Sequence, residues 1–222
     1  MGTYRLRCEG SLESSAQRLV SNFQTQAVKN LLICGDSFAA DWTVKFSGQG
    51  WVNKLNSDFT VTNLAQAGCS EYKILKQLQS VKLSKFDLIL VSHTSPYRLY
   101  VTEHPVHKGD SLHNNSCLLY ADVAAKMDSY PELKPITDYF ENYFNIEYAE
   151  HMHNLLLKEI EDYCPSHTLH ISHIEWKRLH IFKNFLNFKS VFEKHPGNFN
   201  HYDATGNQIV YDKIRDKLNE SA

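Results

Sequence analysis

At 222 residues the chain fits one α/β domain, a class that reaches roughly 250 residues before splitting, so a single domain over 1–222 is expected. Lys and Arg number 23 against 25 Asp and Glu, a formal charge of −2, which leaves no basic footprint for a phosphate backbone and argues against nucleic-acid partners. Hydrophobic residues at 42% and aromatics at 12% supply a packed core and exclude a disordered chain.

The first thirty residues lack the apolar stretch and small-residue cleavage site of a secretory signal. No window reaches the roughly 18 apolar residues of a membrane span. The five cysteines (Cys8, Cys34, Cys69, Cys117, Cys164) are odd in number and form no C-x-x-C pair. Buried free thiols in a reducing cytosol fit that pattern better than a disulfide framework or a zinc knuckle. The expectation is a soluble cytoplasmic protein with no membrane partner.

Four short apolar runs bounded by turn or cap residues read as strands: Asn30–Cys34, Phe59–Leu64, Asp87–Val91 and Thr168–Ile174. Ser70 is placed to cap a helix carrying Ile74, Leu75, Leu78 and Val81 on one stripe, with Glu71 favourable to its first turn. Apolar stripes run from Ile136 through Phe144 and from Met152 through Ile160, ending where Pro165 blocks continuation. A last helix carries Ile209, Val210, Ile214 and Leu218. Strands alternating with helices predict a parallel sheet covered on both faces. Two segments break this rhythm. Residues 95–135 are polar, turn-rich and too long for an ordinary connection, which makes them an insertion over the sheet's carboxyl edge. Residues 175–200 space Phe182, Phe185, Phe188 and Phe192 by three or four, as one core-facing helix or, over 175–197, as a lid or substrate wall.

The most informative segment is Leu31 to Ala40, a buried strand followed at once by Gly35-Asp36-Ser37 and a small-residue helix start. A serine there lies at the carboxyl end of the sheet, where open α/β sheets place ligands and where backbone amides can stabilise an oxyanion. Such a serine needs a general base. His201 sits in a Gly/Asn/Pro loop before the last helix, a mount that lets an imidazole face the same edge.

Together these segments resemble the SGNH hydrolases, the GDSL-type esterases and acylhydrolases. The nucleophile block is matched by Gly35-Asp36-Ser37, the glycine block by Asn63-Leu-Ala-Gln-Ala-Gly68, and the histidine block by His201 with Thr205-Gly206-Asn207. The likeness spans residues 30–218. It implies a three-layer α/β/α fold with a flavodoxin-like parallel sheet of four or five strands, a Ser37 nucleophile, a His201 base, and oxyanion donors at Ser37 and Gly68. Two positions depart from the family. Its third block carries an Asn that donates to the oxyanion, whereas Val91 is followed here by Ser92-His93-Thr94-Ser95-Pro96-Tyr97-Arg98, so either Thr94 or His93 is the donor. The acid position three residues before the histidine holds Asn198. An amide can orient an imidazole but cannot balance its charge. Asn198, a backbone carbonyl or Asp203 then supports His201.

The other histidines argue against a metal. His167, His170 and His173 are three apart in a predicted strand whose side chains alternate with period two. His151 and His153 lie about 200° apart around a helix. His104, His107 and His113 fall in the insertion, and Arg98 is placed either to form an ordinary salt bridge or to bind a substrate carboxylate or phosphate. The G-x-S-x-G elbow of α/β-hydrolases is a poor match, since a single predicted strand precedes Ser37. The expected function is a serine esterase that removes a small acyl group, such as acetyl, from a carbohydrate, with no cofactor or metal. A saccharide O-acyltransferase and a catalytically inactive binding domain of the same fold are the alternatives.

Overall fold

The computed structural model describes residues 28–44, 50–107, 109–113, 116–175 and 179–220. Most of the N-terminal stretch read for a leader, together with Cys8, lies outside them. The described residues begin with β1 (Asn30–Gly35), then α1 (Trp51–Lys54), β2 (Thr60–Asn63), α2 (Glu71–Gln79) and β3 (Leu88–His93). The insertion follows, with β4 (Arg98–Leu99), β5 (Leu118–Leu119), α3 (Tyr120–Lys126) and α4 (Lys134–Asn142). The chain then returns through α5 (Ile146–Tyr163), β6 (Leu169–Ser172), β7 (Phe185–Asn187), α6 (Lys189–Lys194), β8 (Pro196–Phe199) and α7 (Ala204–Glu220).

Strands β2-β1-β3-β6-β7 form one sheet in that order, and every pairing is parallel. This is the 2-1-3-4-5 strand order of the flavodoxin-like class. Alternation along β1 divides its side chains between two cores. Leu31 and Ile33 pack with Trp51, Val210 and Ile214, under α1 and α7. Leu32 and Cys34 pack with Ile74, Leu78 and Ile160, under α2 and α5. The chain is a three-layer α/β fold, and its parallel strands bring the ends of β1, β2, β3 and β6 to one edge.

Two predicted elements come out differently. The stripe from Ile136 to Ile160 is two helices, because Asn145 stops the run and its side chain accepts from the Tyr148 N–H at 2.8 Å, capping a new start. The aromatic stretch 175–200 is not one helix: it holds a 3₁₀ turn at Leu179–Ile181, then β7, α6 and β8. Its phenylalanines go to separate places. Phe182 stacks on His170, Phe188 on His173, and Phe192 meets Phe38 edge-on. The insertion has its own small core, in which Leu118, Val123 and Leu133 meet Leu99 and Phe140. Among the described residues no helix is long and apolar enough to cross a membrane.

Candidate active site

Ser37 owes its place to the end of β1. A Cβ on Gly35 would stand 2.7 Å from Ser92 Cβ on β3, so only glycine lets the two strands close at this point. Gln77 of α2 grips the same residue from both sides: its Oε1 accepts from Gly35 N at 2.7 Å and its Nε2 donates to Gly35 O at 3.1 Å. The chain then turns sharply, with Ala39 N and Ala40 N donating to Asp36 O and Phe38 N donating to Asp36 Oδ1. Trp42 Nε1 donates to Ser37 O at 2.7 Å, which fixes the serine's own peptide.

His201 comes from the far end of the chain, and its Nε2 lies 2.8 Å from Ser37 Oγ. It follows a tight β8 return in which Asn200 and His201 have φ of 48° and 66°, a left-handed region where Asn is tolerated better than most residues. Asn200 is fully buried, and its Nδ2 donates to Phe38 O at 2.9 Å and to Ala40 O at 3.1 Å. The histidine loop is thereby clamped to the serine loop. The His201 ring sits 4.4 Å from the Phe38 ring and 5.5 Å from Trp42. Burial, with the Arg98 charge adding to it, lowers the imidazole to about 4. The ring is therefore neutral near pH 7, and in the tautomer with its hydrogen on Nδ1 the Nε2 lone pair meets the serine hydroxyl.

Support for the other ring nitrogen is absent among the described residues. Asn198 is exposed on β8 and makes no hydrogen bond to His201. Asp203 is engaged elsewhere: its Oδ1 accepts from Gly206 N at 2.6 Å at the start of α7, and its Oδ2 lies 3.4 Å from His195 Nδ1. Ser37 and His201 thus form a dyad.

The backbone N–H groups of Ser37 and Gly68 have no intramolecular acceptor among the described residues. Gly68 has φ of 73°, and a Cβ there would lie 2.4 Å from Ser116 Cβ. Neither third-block candidate faces this site. Thr94 Oγ1 accepts from Arg98 Nε at 3.2 Å, and its N–H donates to Glu71 Oε2 at 3.2 Å. His93 turns into the interior, where its Nδ1 meets Glu71 Oε1 at 2.7 Å and its Nε2 meets His170 Nδ1 at 3.0 Å. Burial raises Asp36 to about 6 and Glu71 to about 7, and lowers His93 to about 3, so near pH 7 the His93 ring is neutral and Glu71 is partly protonated. Arg98 is the residue of this loop that reaches the site: it lines the same cavity as Ser37 and His201, and its Nη1 donates to Gly68 O at 3.4 Å.

That cavity has a volume of about 500 Å³, within the range of small-molecule pockets. Its far wall is built by the insertion, from His104, His107, His113 and Lys126, while Phe192 and Ile174 close one side. No group of three or more His, Cys, Asp or Glu side chains among the described residues is placed to hold a metal ion. Gln77, Trp42 and Asn200, which hold the dyad in place, carry no motif of their own, and their partners lie 42, 5 and more than 150 residues away. A scan against protein-family profiles and a search of curated proteins find no match for this chain.

Proposed function

We propose that the chain is a serine esterase that acts on a small acyl ester, most simply an O-acetyl group on a carbohydrate, as its resemblance to the SGNH hydrolases implies. The observation that carries the reading is the 2.8 Å contact between His201 Nε2 and Ser37 Oγ, made across 164 residues of sequence beside the Ser37 and Gly68 N–H groups, which have no acceptor among the described residues. His201 Nε2 takes the hydroxyl proton as Ser37 Oγ bonds to the ester carbonyl carbon. The carbonyl oxygen gains the negative charge and receives hydrogen bonds from the amides of Ser37 and Gly68, with the Arg98 guanidinium on the same wall. The His201 imidazolium then gives its proton to the departing alcohol oxygen, leaving an acyl-Ser37 ester. Water, deprotonated by His201, releases the acid and restores the serine. A sugar hydroxyl in place of water makes the same chemistry an O-acyl transfer.

The polar, imidazole-lined wall suits a hydroxylated alcohol better than a long acyl chain. A series of p-nitrophenyl esters is expected to fall in kcat/KM from acetyl to octanoyl, and a rise along the series overturns the small-acyl assignment. One observation favours a retired binding domain: His201 lacks a carboxylate partner among the described residues. Hydrolysis of p-nitrophenyl acetate that disappears in both Ser37→Ala and His201→Ala rejects that reading. The described free cysteines, of which Cys34, Cys69 and Cys117 are buried, fit a reducing cytoplasmic setting.

A further inference from the structure

We infer that the part of the cavity built by Lys126, His107 and His104 of the insertion, together with Arg98 beside Gly68, is an anion subsite, and that the ester substrate carries a phosphate or carboxylate group. The inference rests on the esterase reading of Ser37 and adds the chemical class of the substrate.

Accounting for donors and acceptors leads there. His104 Nδ1 accepts from the N–H groups of Val106 at 3.2 Å and His107 at 3.3 Å, so the hydrogen of the neutral ring is on Nε2. Lys126 Nζ lies 2.8 Å from His107 Nε2; an ammonium has only donors, so it donates, and the neutral His107 ring carries its hydrogen on Nδ1. The two rings are 4.3 Å apart. Their lone pairs are consumed within the wall, and N–H donors are what remain for a ligand. A group made only of acceptors, a phosphate or a carboxylate, is the complement of such a surface.

The charges agree. Neither Arg98 nor Lys126 has a carboxylate oxygen within 4.0 Å among the described residues, although both line this partly enclosed cavity. The nearby acids make no contact with either cation: Asp122 is exposed and lines the same cavity, Asp110 faces His113 Nδ1 at 3.5 Å, and Asp36 is buried with the Arg98 charge acting on it from a distance. Burial, with the Lys126 charge adding to it, holds the His104 and His107 rings below their ordinary range, so they donate as neutral groups near pH 7. A half-buried cation with no carboxylate in direct contact is costly to hold away from water, and an arriving anion offsets that cost.

Two measurements on the full chain decide the matter. In the first, inorganic phosphate and acetate are titrated into the protein while the imidazole ¹⁵N resonances are followed by NMR, which needs no turnover. Saturable shifts in the His104 and His107 signals are expected, weakened about tenfold or more in Lys126→Gln and largely restored in Lys126→Arg. No shift, or an equal response in Lys126→Gln, overturns the subsite. In the second, kcat/KM is compared for an O-acetylated sugar phosphate, an O-acetylated uronate and an O-acetylated neutral methyl glycoside. An anionic substrate is expected to lead the neutral one by about tenfold or more, and that ratio is expected to collapse in Lys126→Gln and to shrink with added salt. Which anion leads tells phosphate from carboxylate, and equal rates on all three overturn the substrate class. If none is hydrolysed and p-nitrophenyl acetate is also inert, the esterase reading has failed, while the titration still decides the anion subsite.

Discussion

Asn200 holds Phe38: one side-chain amide, fully buried, donates to the carbonyl of Phe38 at 2.9 Å and also to that of Ala40, so the residue before the histidine grips the residue after the serine. The dyad distance depends on this clamp. Asn200→Ala removes both donors and puts a residue less suited to φ of 48° in the turn, at a cost of about 1–3 kcal/mol in stability. Activity is expected to fall more steeply, by about tenfold to a hundredfold in kcat, because the reacting groups lose alignment. Steady-state kinetics with a thermal melt checks this; a lower Tm with unchanged kcat assigns Asn200 to stability alone.

Gly68→Ala forces an L side chain into φ of 73° and brings its Cβ to 2.4 Å from Ser116 Cβ. Activity is expected to drop by more than tenfold if the Gly68 amide helps hold the oxyanion. Ser116→Gly added to the same variant removes the clash but not the strained backbone, so it is expected to recover Tm in part and kcat less. Full recovery of both contradicts the role given to the Gly68 backbone.

The pH profile follows from His201. The proposed mechanism needs its base form, and the ring is lowered to about 4, so kcat/KM is expected to rise through about pH 4 and then level off. An acid limb near the ordinary histidine value of about 6.5 contradicts the burial of the base.

Glu71 tests the buried cluster through stability. Its carboxyl rises from an ordinary 4.5 to about 7 through burial, against the opposing pull of His153 and the Thr94 N–H. The folded state therefore binds a proton that the unfolded chain has already released. The stabilisation is complete below about pH 4.5 and is lost as pH rises through about 7. Glu71→Gln lacks this titration, so the wild-type advantage in Tm over the variant is expected to shrink between these two pH values. A constant gap across the range shows that Glu71 does not exchange a proton there.

Much of the fold could be read from local pattern. Leu31 to Cys34 is continuously apolar because a central parallel strand is covered on both sides, and Gly35-Asp36-Ser37 marks its end. The histidine end was legible for the same reason, since Asp203, Thr205 and Gly206 mark the start of α7 just after His201. β7 was hidden because Phe182, Phe185, Phe188 and Phe192 imitate helical spacing while packing at separate places. The third block was opaque for another reason. Register along the chain suggested Thr94 or His93, but the Thr94 hydroxyl is held by Arg98 and the His93 ring by the distant buried Glu71. Asn198 stands at the acid position that the family resemblance implies, and the left-handed turn at Asn200 and His201 leaves it exposed on β8.

The central claim is that Ser37 is a nucleophile activated by His201. Intact-mass spectrometry after treatment with a fluorophosphonate, near pH 7 where His201 is neutral, tests it most directly. One adduct per folded chain is expected, mapped to Ser37, absent in Ser37→Ala and formed far more slowly in His201→Ala. No adduct on the folded wild-type protein, or an adduct that persists in Ser37→Ala, contradicts it.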